Sequence, residues 1–382
     1  MTAPSILPSR CLEPAAFLDA VEDPDLVYFL LNVGDADCQL VVFPRGTSGV
    51  RRAMVVDVGK SGKLPQLIDH LESADFLPNG RTEFEVVAAT HPHRDHIDGM
   101  PEFLARFGDR VKEYWDSGYR HPVPPYFRVL EELERRRDRI AYAEPTSGFT
   151  RFFDRVRVTV LAPAIALRNR YDSYGVDPNN ASVCLKLEYP VTRAVQRGDR
   201  RFLEPRTRDD PTATRMIMGG DAQLASWSHV LADFPELRPS ESPVLKALGM
   251  RKGSSPLRAE ILKVPHHASK LGLSVELAEM VKARLALVSC VAGGGKHNFP
   301  HRFSQDALRE AKTPIAKSGA SDWPRPDHEI GIHYTSARTR RHGTLGTICL
   351  VIKPTARRVH MWRFLDERDD PVDLASAHRF VA

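Results

Sequence analysis

No run of about eighteen apolar residues occurs anywhere in the chain, so no segment is long enough to cross a bilayer as a helix. The five cysteines, Cys11, Cys38, Cys184, Cys290 and Cys349, are odd in number, widely spaced and without a CxxC pair. That pattern indicates neither a disulfide framework nor a thiolate zinc knuckle, and they read as small buried apolar residues. Met1 to Pro14 lacks the basic start and apolar stretch of a secretory signal, and the expected location is cytoplasmic. A large charge of one sign is also missing. The net charge of +5 over 382 residues permits an anionic substrate without demanding one.

With 42% apolar and 27% charged residues, the chain can bury a large core. From Leu26 to Val58 three runs, LVYFLLNV, DADCQLVVFP and AMVVDVG, are rich in β-branched or aromatic residues and broken by Gly, Asp or Pro. They read as an antiparallel meander. Helical spacing follows over Lys63–Ser73, then an apolar strand over Phe84–Ala89, a helix from Pro101 to Phe107 and a charged helix over Tyr126–Ile140. Further strands are expected near 156–161, 183–189, 215–218, 260–264, 285–290, 330–334, 345–353 and 358–364. This predicts an α/β protein, an αββα sandwich of two mixed β-sheets flanked by helices. One domain is expected over 26–365, with an N-terminal extension (1–25), a C-terminal tail (366–382) and two insertions (192–214 and 235–258). The first insertion is basic, carrying Arg193, Arg197, Arg200, Arg201, Arg206 and Arg208, and its length is that of a lid, a binding loop or a disordered segment.

Chemistry concentrates in Thr90-His91-Pro92-His93-Arg94-Asp95-His96, directly after an apolar strand. Imidazole and carboxylate are the usual ligands for zinc and also suit manganese or iron. A short loop can aim His91 and His93 one way and Asp95 and His96 another, and the spacing suggests two neighbouring ions. The segment resembles the HxHxDH signature of the metallo-β-lactamase superfamily, and Asp57, Asp221 and His266 follow the order expected of that family. Within the superfamily the chain looks most like the hydrolase portion of ComEC-type DNA-uptake proteins and their soluble relatives. NVGDADCQLVVF, NNASVCLKLEY, MIMGGDA, LKVPHHASK and SCVAGGGKHNFPH carry that likeness.

The resemblance implies two divalent ions, zinc or manganese. His91 and His93 would hold the first, Asp95, His96 and His266 the second, and Asp221 would bridge them. Many members supply one more histidine to the first ion, but none lies between His121 and Asp221 here. Asn179, Asn180 or Ser182 would lie near a first ion that is then less firmly held. Asp57 is expected to support a ligand rather than be one.

Such ions bring the pKa of a bound water toward about 7, giving a hydroxide nucleophile that Asp95 would orient. His267 and His301 are further catalytic candidates, His301 as the acid for the leaving oxygen. Ser269, Lys270 and Lys296 are candidate substrate contacts. The arginine-rich stretches, including 338–341, could track a nucleic-acid backbone, although Phe202 is the lone aromatic among the first set. The expected function is a phosphodiesterase or nuclease acting on nucleic acid or a nucleotide, with no membrane involvement. A protein partner controlling activity, as for an effector in a defence system, fits a soluble relative. Acyl-ester or lactone hydrolysis, and a metal-deficient regulatory binding protein, are the competing readings.

Overall fold

A computed structural model of the chain describes residues 11–14, 16–46, 49–171, 176–198, 200–205, 213–233, 256–293, 297–312, 327–337, 345–355 and 358–381. One sheet has ten strands, in the order β1 (Cys11–Pro14), β19 (His378–Val381), β18 (Val359–Arg363), β17 (Ile348–Ile352), β2 (Leu26–Leu30), β3 (Cys38–Val42), β4 (Ala53–Val58), β5 (Phe84–Ala88), β6 (Val111–Trp115) and β7 (Ala141–Ala143). The second has seven, β16 (Ile332–Ala337), β15 (Leu285–Ala292), β14 (Ile261–Lys263), β13 (Thr214–Met218), β10 (Cys184–Tyr189), β9 (Val156–Ala162) and β8 (Thr150–Phe153). Both sheets are mixed: β4 to β7 and β13 to β16 run parallel, and the remaining ladders are antiparallel. The expected αββα sandwich is the architecture observed.

Strand periodicity builds the layers. Along β2, Leu26, Tyr28 and Leu30 face Val158, Leu185, Met216 and Leu287 of the other sheet, whereas Val27 and Phe29 face outward under the helices. A strand buried on both faces reads as a continuous apolar run, as β2 to β5 do. Helices α1 (Lys63–Ser73), α3 (Met100–Phe107) and α4 (Pro124–Arg135) cover the first sheet, α2 (Arg94–Ile97) being one turn of the histidine loop. The helix expected over 126–140 begins and ends earlier, because Pro124 and Pro125 suit its first turn. On the second sheet lie α6 (Leu224–Asp233), α7 (Val275–Val281) and α8 (Arg302–Lys312), after the single turn α5 (Ile165–Arg168). The sequence reading lacked α6, α7 and α8, although Ser274 caps α7 by accepting from the Leu277 N–H, a legible start signal.

The basic insertion folds in part as a hairpin of β11 (Thr192–Arg197) and β12 (Arg200–Pro205). Residues 206–212, and 235–255 of the second insertion, lie outside the described residues. Both chain ends enter the first sheet, β1 pairing with β19 and β19 with β18. Cys38, Cys184, Cys290 and Cys349 are buried free thiols. Among the described residues no helix is long and apolar enough to cross a membrane.

Candidate metal centre

Asp57, Thr90, Asp221 and His266 sit at or just beyond the C-terminal ends of β4, β5, β13 and β14, which are parallel strands from both sheets. Carboxyl ends of parallel strands are where open α/β sheets present their ligand sites. From β5 the chain passes into Thr90, whose N–H and hydroxyl both donate to Asp57, at 2.7 and 2.8 Å. Asp57 also accepts from His96 Nδ1 at 2.8 Å, which turns His96 Nε2 toward Asp221 Oδ1, 3.2 Å away. The loop then crosses Gly59 so closely that a Cβ there would strike the Asp95 carbonyl oxygen. That carbonyl instead accepts from the Asp37 N–H at 3.0 Å.

From the second sheet come Asp221 and a tandem pair, His266 and His267. Ser182 accepts from the Asp221 N–H at 3.0 Å and fixes the backbone of that aspartate. His266 (φ 50°, ψ 45°), His267 (φ 50°, ψ 27°) and Ala268 (φ 61°) are all left-handed, a conformation costing a non-glycine residue about 1–2 kcal/mol. The turn is held by His266 N–H donating to the Gly220 carbonyl (2.9 Å) and Ser269 N–H donating to the His266 carbonyl (2.7 Å). Successive residues of a helical turn are rotated by roughly 100°, so adjacent histidines leave this one in different directions.

The two oxygens of Asp221 consequently face two different groups. Oδ1 lies 3.2 Å from His96 Nε2 and 3.7 Å from His267 Nε2, and both histidines also reach Asp95 Oδ2, at 3.7 and 3.3 Å. Oδ2 lies 3.6 Å from His266 Nε2 and 3.9 Å from His91 Nε2, with the His93 ring 4.6 Å from that of His91. The resemblance implied His266 beside Asp95 and His96; the side chain found there is His267. His266 lies on the side of His91 and His93, where the sequence offered no further histidine. The signal for this was present in the doublet, since only one of two adjacent residues can point a given way.

These groups suit a divalent cation. Among the described residues, Asp221 Oδ1 and the Nε2 atoms of His91, His96 and His267 are buried without a hydrogen-bond partner, and Asp95, His96, Asp221 and His267 offer ligand atoms within 4.8 Å of one another. Burial opposes charge on every one of them. On His96 the carboxylates of Asp221, Asp57 and Asp95 override it and raise the pKa well above the ordinary imidazole value. On His267, burial is outweighed by Asp221, Asp37 and Asp95, and the pKa rises to about 8. Burial would raise Asp221, but His96, His267 and His266 hold it well below the usual carboxylate range. For His91 burial wins, and it stays neutral, the form in which imidazole ligates.

Asp37 lies beneath the pair and was not singled out in the sequence. Its Oδ2 is ion-paired with Lys263, both groups being fully buried, and its carboxylate lies 3.9 Å from His96 Nδ1 and 3.8 Å from His267 Nδ1. A lysine inside the apolar run ILKV was the available sign, since a buried ammonium requires a partner. His267 Nδ1 donates to the Ser289 carbonyl at 2.6 Å, leaving Nε2 for the site.

The cleft above holds about 650 Å³ and is lined by His93, Asp95, Asn179, Asp221, His266 and His297 among others. Lys60, Arg94 and Arg368 stand at its mouth. The remaining expected residues lie as follows. Asn180 turns away, its side-chain oxygen and carbonyl binding Ser226 at the start of α6. Ser269 is buried behind the histidine turn, and Lys270 is exposed beside it, neither lining the cleft. His301 caps the start of α8, accepting from the Phe303 N–H at 3.2 Å, and His297 occupies the cleft in its place, stacked on Phe299. Lys296 lies outside the described residues.

No protein-family model and no curated protein matches the sequence. Among solved structures the chain is similar to YhfI, a metallo-β-lactamase fold protein of Bacillus subtilis. The identity is 10%, covering 75% of this chain and 93% of that one, with a TM-score of 0.35. It is similar to Igni18, a metallo hydrolase of the archaeon Ignicoccus hospitalis, at 12% identity over 86% and 100% of the two chains (TM-score 0.37). A long form RNase Z from yeast is similar at 11% identity over 72% of this chain and 38% of that one (TM-score 0.34). At these values the strand order and the histidine geometry, not the likenesses, carry the reading of the site.

Proposed function

We propose that this chain is a metal-dependent phosphodiesterase acting on nucleic acid or a nucleotide, akin to ComEC-type hydrolases. The observation that carries the proposal is the convergence of four histidines on the two oxygens of one buried carboxylate, Asp221, with Asp95 and His93 beside them. His91, His93 and His266 would hold one divalent ion with Asp221 Oδ2; Asp95, His96 and His267 would hold the other with Oδ1. Zinc and manganese both suit such donors. The ions would supply a Lewis acid that polarises a phosphoryl oxygen and activates water near neutral pH.

The protein's own groups do the rest. Asp57 and Ser289 fix the two imidazoles nearest Asp95, so their Nε2 atoms need no reorganisation on binding. Asp95, whose side chain is 38% exposed, is the accessible carboxylate of its set and orients the attacking water. His297, on the cleft wall, would give a proton to the leaving oxygen, the role the sequence reading gave to His301. The cleft is lined largely by imidazole, carboxylate and amide groups, which suits a polar diester, whereas an acyl substrate calls for a closed apolar pocket. Action at a cytoplasmic nucleic acid under a protein partner's control belongs to the same proposal.

The test incubates the protein, and a His96→Ala/Asp221→Ala variant, with zinc or manganese and labelled single- and double-stranded DNA, RNA and a chromogenic phosphodiester. Metal-dependent cleavage lost in the variant is expected. Absence of cleavage by protein carrying stoichiometric metal would reject the phosphodiesterase reading.

A further inference from the structure

The segment 366–370, the start of the expected C-terminal tail, is strapped against the site. Asp366 is buried in an ion pair with Lys63 at 2.6 Å and accepts from Thr347 N–H and hydroxyl at 2.7 and 2.8 Å. Asn32 donates to the Asp366 carbonyl (2.8 Å), Lys63 to the Glu367 carbonyl (2.6 Å), and Lys60 to the Arg368 carbonyl (3.2 Å). Lys60 lies in the turn between β4 and α1, Lys63 is the first residue of α1, and Asn32 lies in the turn between β2 and β3. The segment is therefore clamped to two loops that also shape the cleft.

Arg368 projects from this strap to the mouth of the cleft. Its stem runs over Gly34 (φ +79°), where a Cβ would stand 3.2 Å from Arg368 Cδ and 3.3 Å from Nε. Any other residue at Gly34 would be strained and would push the arginine aside. The other cations at the mouth are already neutralised, Lys60 by Asp369 and Arg94 by Asp98 at 3.3 Å. Of the acids lining the cleft, Asp98 is thus engaged and Asp35 accepts from the Val291 N–H at 2.8 Å. Asp95 and Asp221 belong to the metal set. Among the described residues the Arg368 guanidinium has no carboxylate partner.

We infer that Arg368 is a substrate contact that binds a phosphate flanking the scissile one, selecting a polyanionic diester over a neutral ester. The inference rests on the phosphodiesterase reading above and names the polynucleotide as its substrate class. A guanidinium presents paired donors to phosphate oxygens, and an unpaired one beside a metal cleft brings no competing counter-charge.

The test compares wild type, Arg368→Ala and Arg368→Lys, with Arg128→Ala on the exposed face of α4 as a control for lost charge. KM and kcat are measured on an oligonucleotide and on a small chromogenic diester that lacks flanking phosphates. Equilibrium binding of a fluorescein-labelled thymidine oligonucleotide is titrated at several salt concentrations. For Arg368→Ala the expected result is a roughly tenfold rise in oligonucleotide KM and Kd, with kcat within about twofold and the small diester unaffected. The slope of log affinity against log salt should fall by about 0.7, the share of one single-strand phosphate, and lysine should restore part of the loss. Unchanged KM, Kd and salt slope, or an equal effect of Arg128→Ala, would overturn the inference. Should wild type cleave no diester, the phosphodiesterase reading fails, and the binding titration still decides Arg368: loss of oligonucleotide affinity in Arg368→Ala upholds it, and its absence rejects it.

Discussion

His91, His93 and His96 leave the end of β5 on ordinary backbone, His93 at φ −75°, ψ 149° and the next residues in a right-handed helical turn. His266 and His267 leave the end of β14 on consecutive left-handed residues. Both loops deliver imidazoles to the same aspartate, yet one does so by spacing and the other by strain. Alternating residues of an extended loop share a side, so a motif such as HxH is sufficient to aim two rings together. Adjacent residues cannot share a side, and here the turn makes use of that, sending one ring to each oxygen of Asp221. The cost of the left-handed backbone is offset by hydrogen bonds to Gly220 and from Ser269, so the strained turn is specified by its surroundings rather than by its own sequence.

The largest expected effect breaks the division of labour between the tandem histidines. His266→Gln should release the ion on the His91 and His93 side, and His267→Gln the ion on the Asp95 and His96 side. Each loss should exceed the roughly 10–100-fold drop in affinity caused by removing an outer hydrogen-bond partner. Metal content after dialysis, with cobalt spectra distinguishing the two environments, checks this; loss of the same ion from both variants would contradict the geometry. Next in size is Asp57→Asn, which leaves the ligands in place but weakens the hold on His96. It should cost about 10–100-fold in affinity for one ion and little for the other, read in the same titration.

The scaffold behind the first loop supplies a pH test. Burial raises the Asp116 pKa to about 6, only partly relieved by the Gly118 N–H that donates to it at 2.7 Å. Its folded pKa lies above the unfolded value of about 3.9. Protonation therefore stabilises the fold fully below about pH 4, and that contribution is lost as pH rises through 6. Over that window the wild type should lose up to about 3 kcal/mol relative to Asp116→Asn, measured by denaturant unfolding at pH 4 and pH 7. Parallel behaviour of the two proteins would show that Asp116 is solvated.

The smallest effect compares one substitution in the two loops. Ala89→Gly, just after β5, should destabilise by about 1 kcal/mol through added chain entropy. Ala268→Gly relieves a residue at φ 61° and should cost nothing or stabilise slightly. Equal melting-temperature shifts would mean that the second turn is not strained.

What was legible followed from local rules. Apolar runs rich in β-branched and aromatic residues gave the two-sheet class, and HPHRDH marked a candidate metal loop because its histidines and aspartate are close in sequence. Asp221 was a candidate from its position after an apolar strand, and its carboxylate lies among the histidines. Other roles depended on groups distant in the chain: which histidine of the doublet faces which oxygen, the Asp37–Lys263 pair beneath them, and the choice of His297 over His301 for the cleft. The same holds for Arg368, brought to the mouth by a buried ion pair between Lys63 and Asp366. Sequence spacing fixes the direction of a side chain only within a regular element. Where the backbone leaves the regular wells, or a partner comes from the other sheet, packing and hydrogen bonding between distant segments decide it.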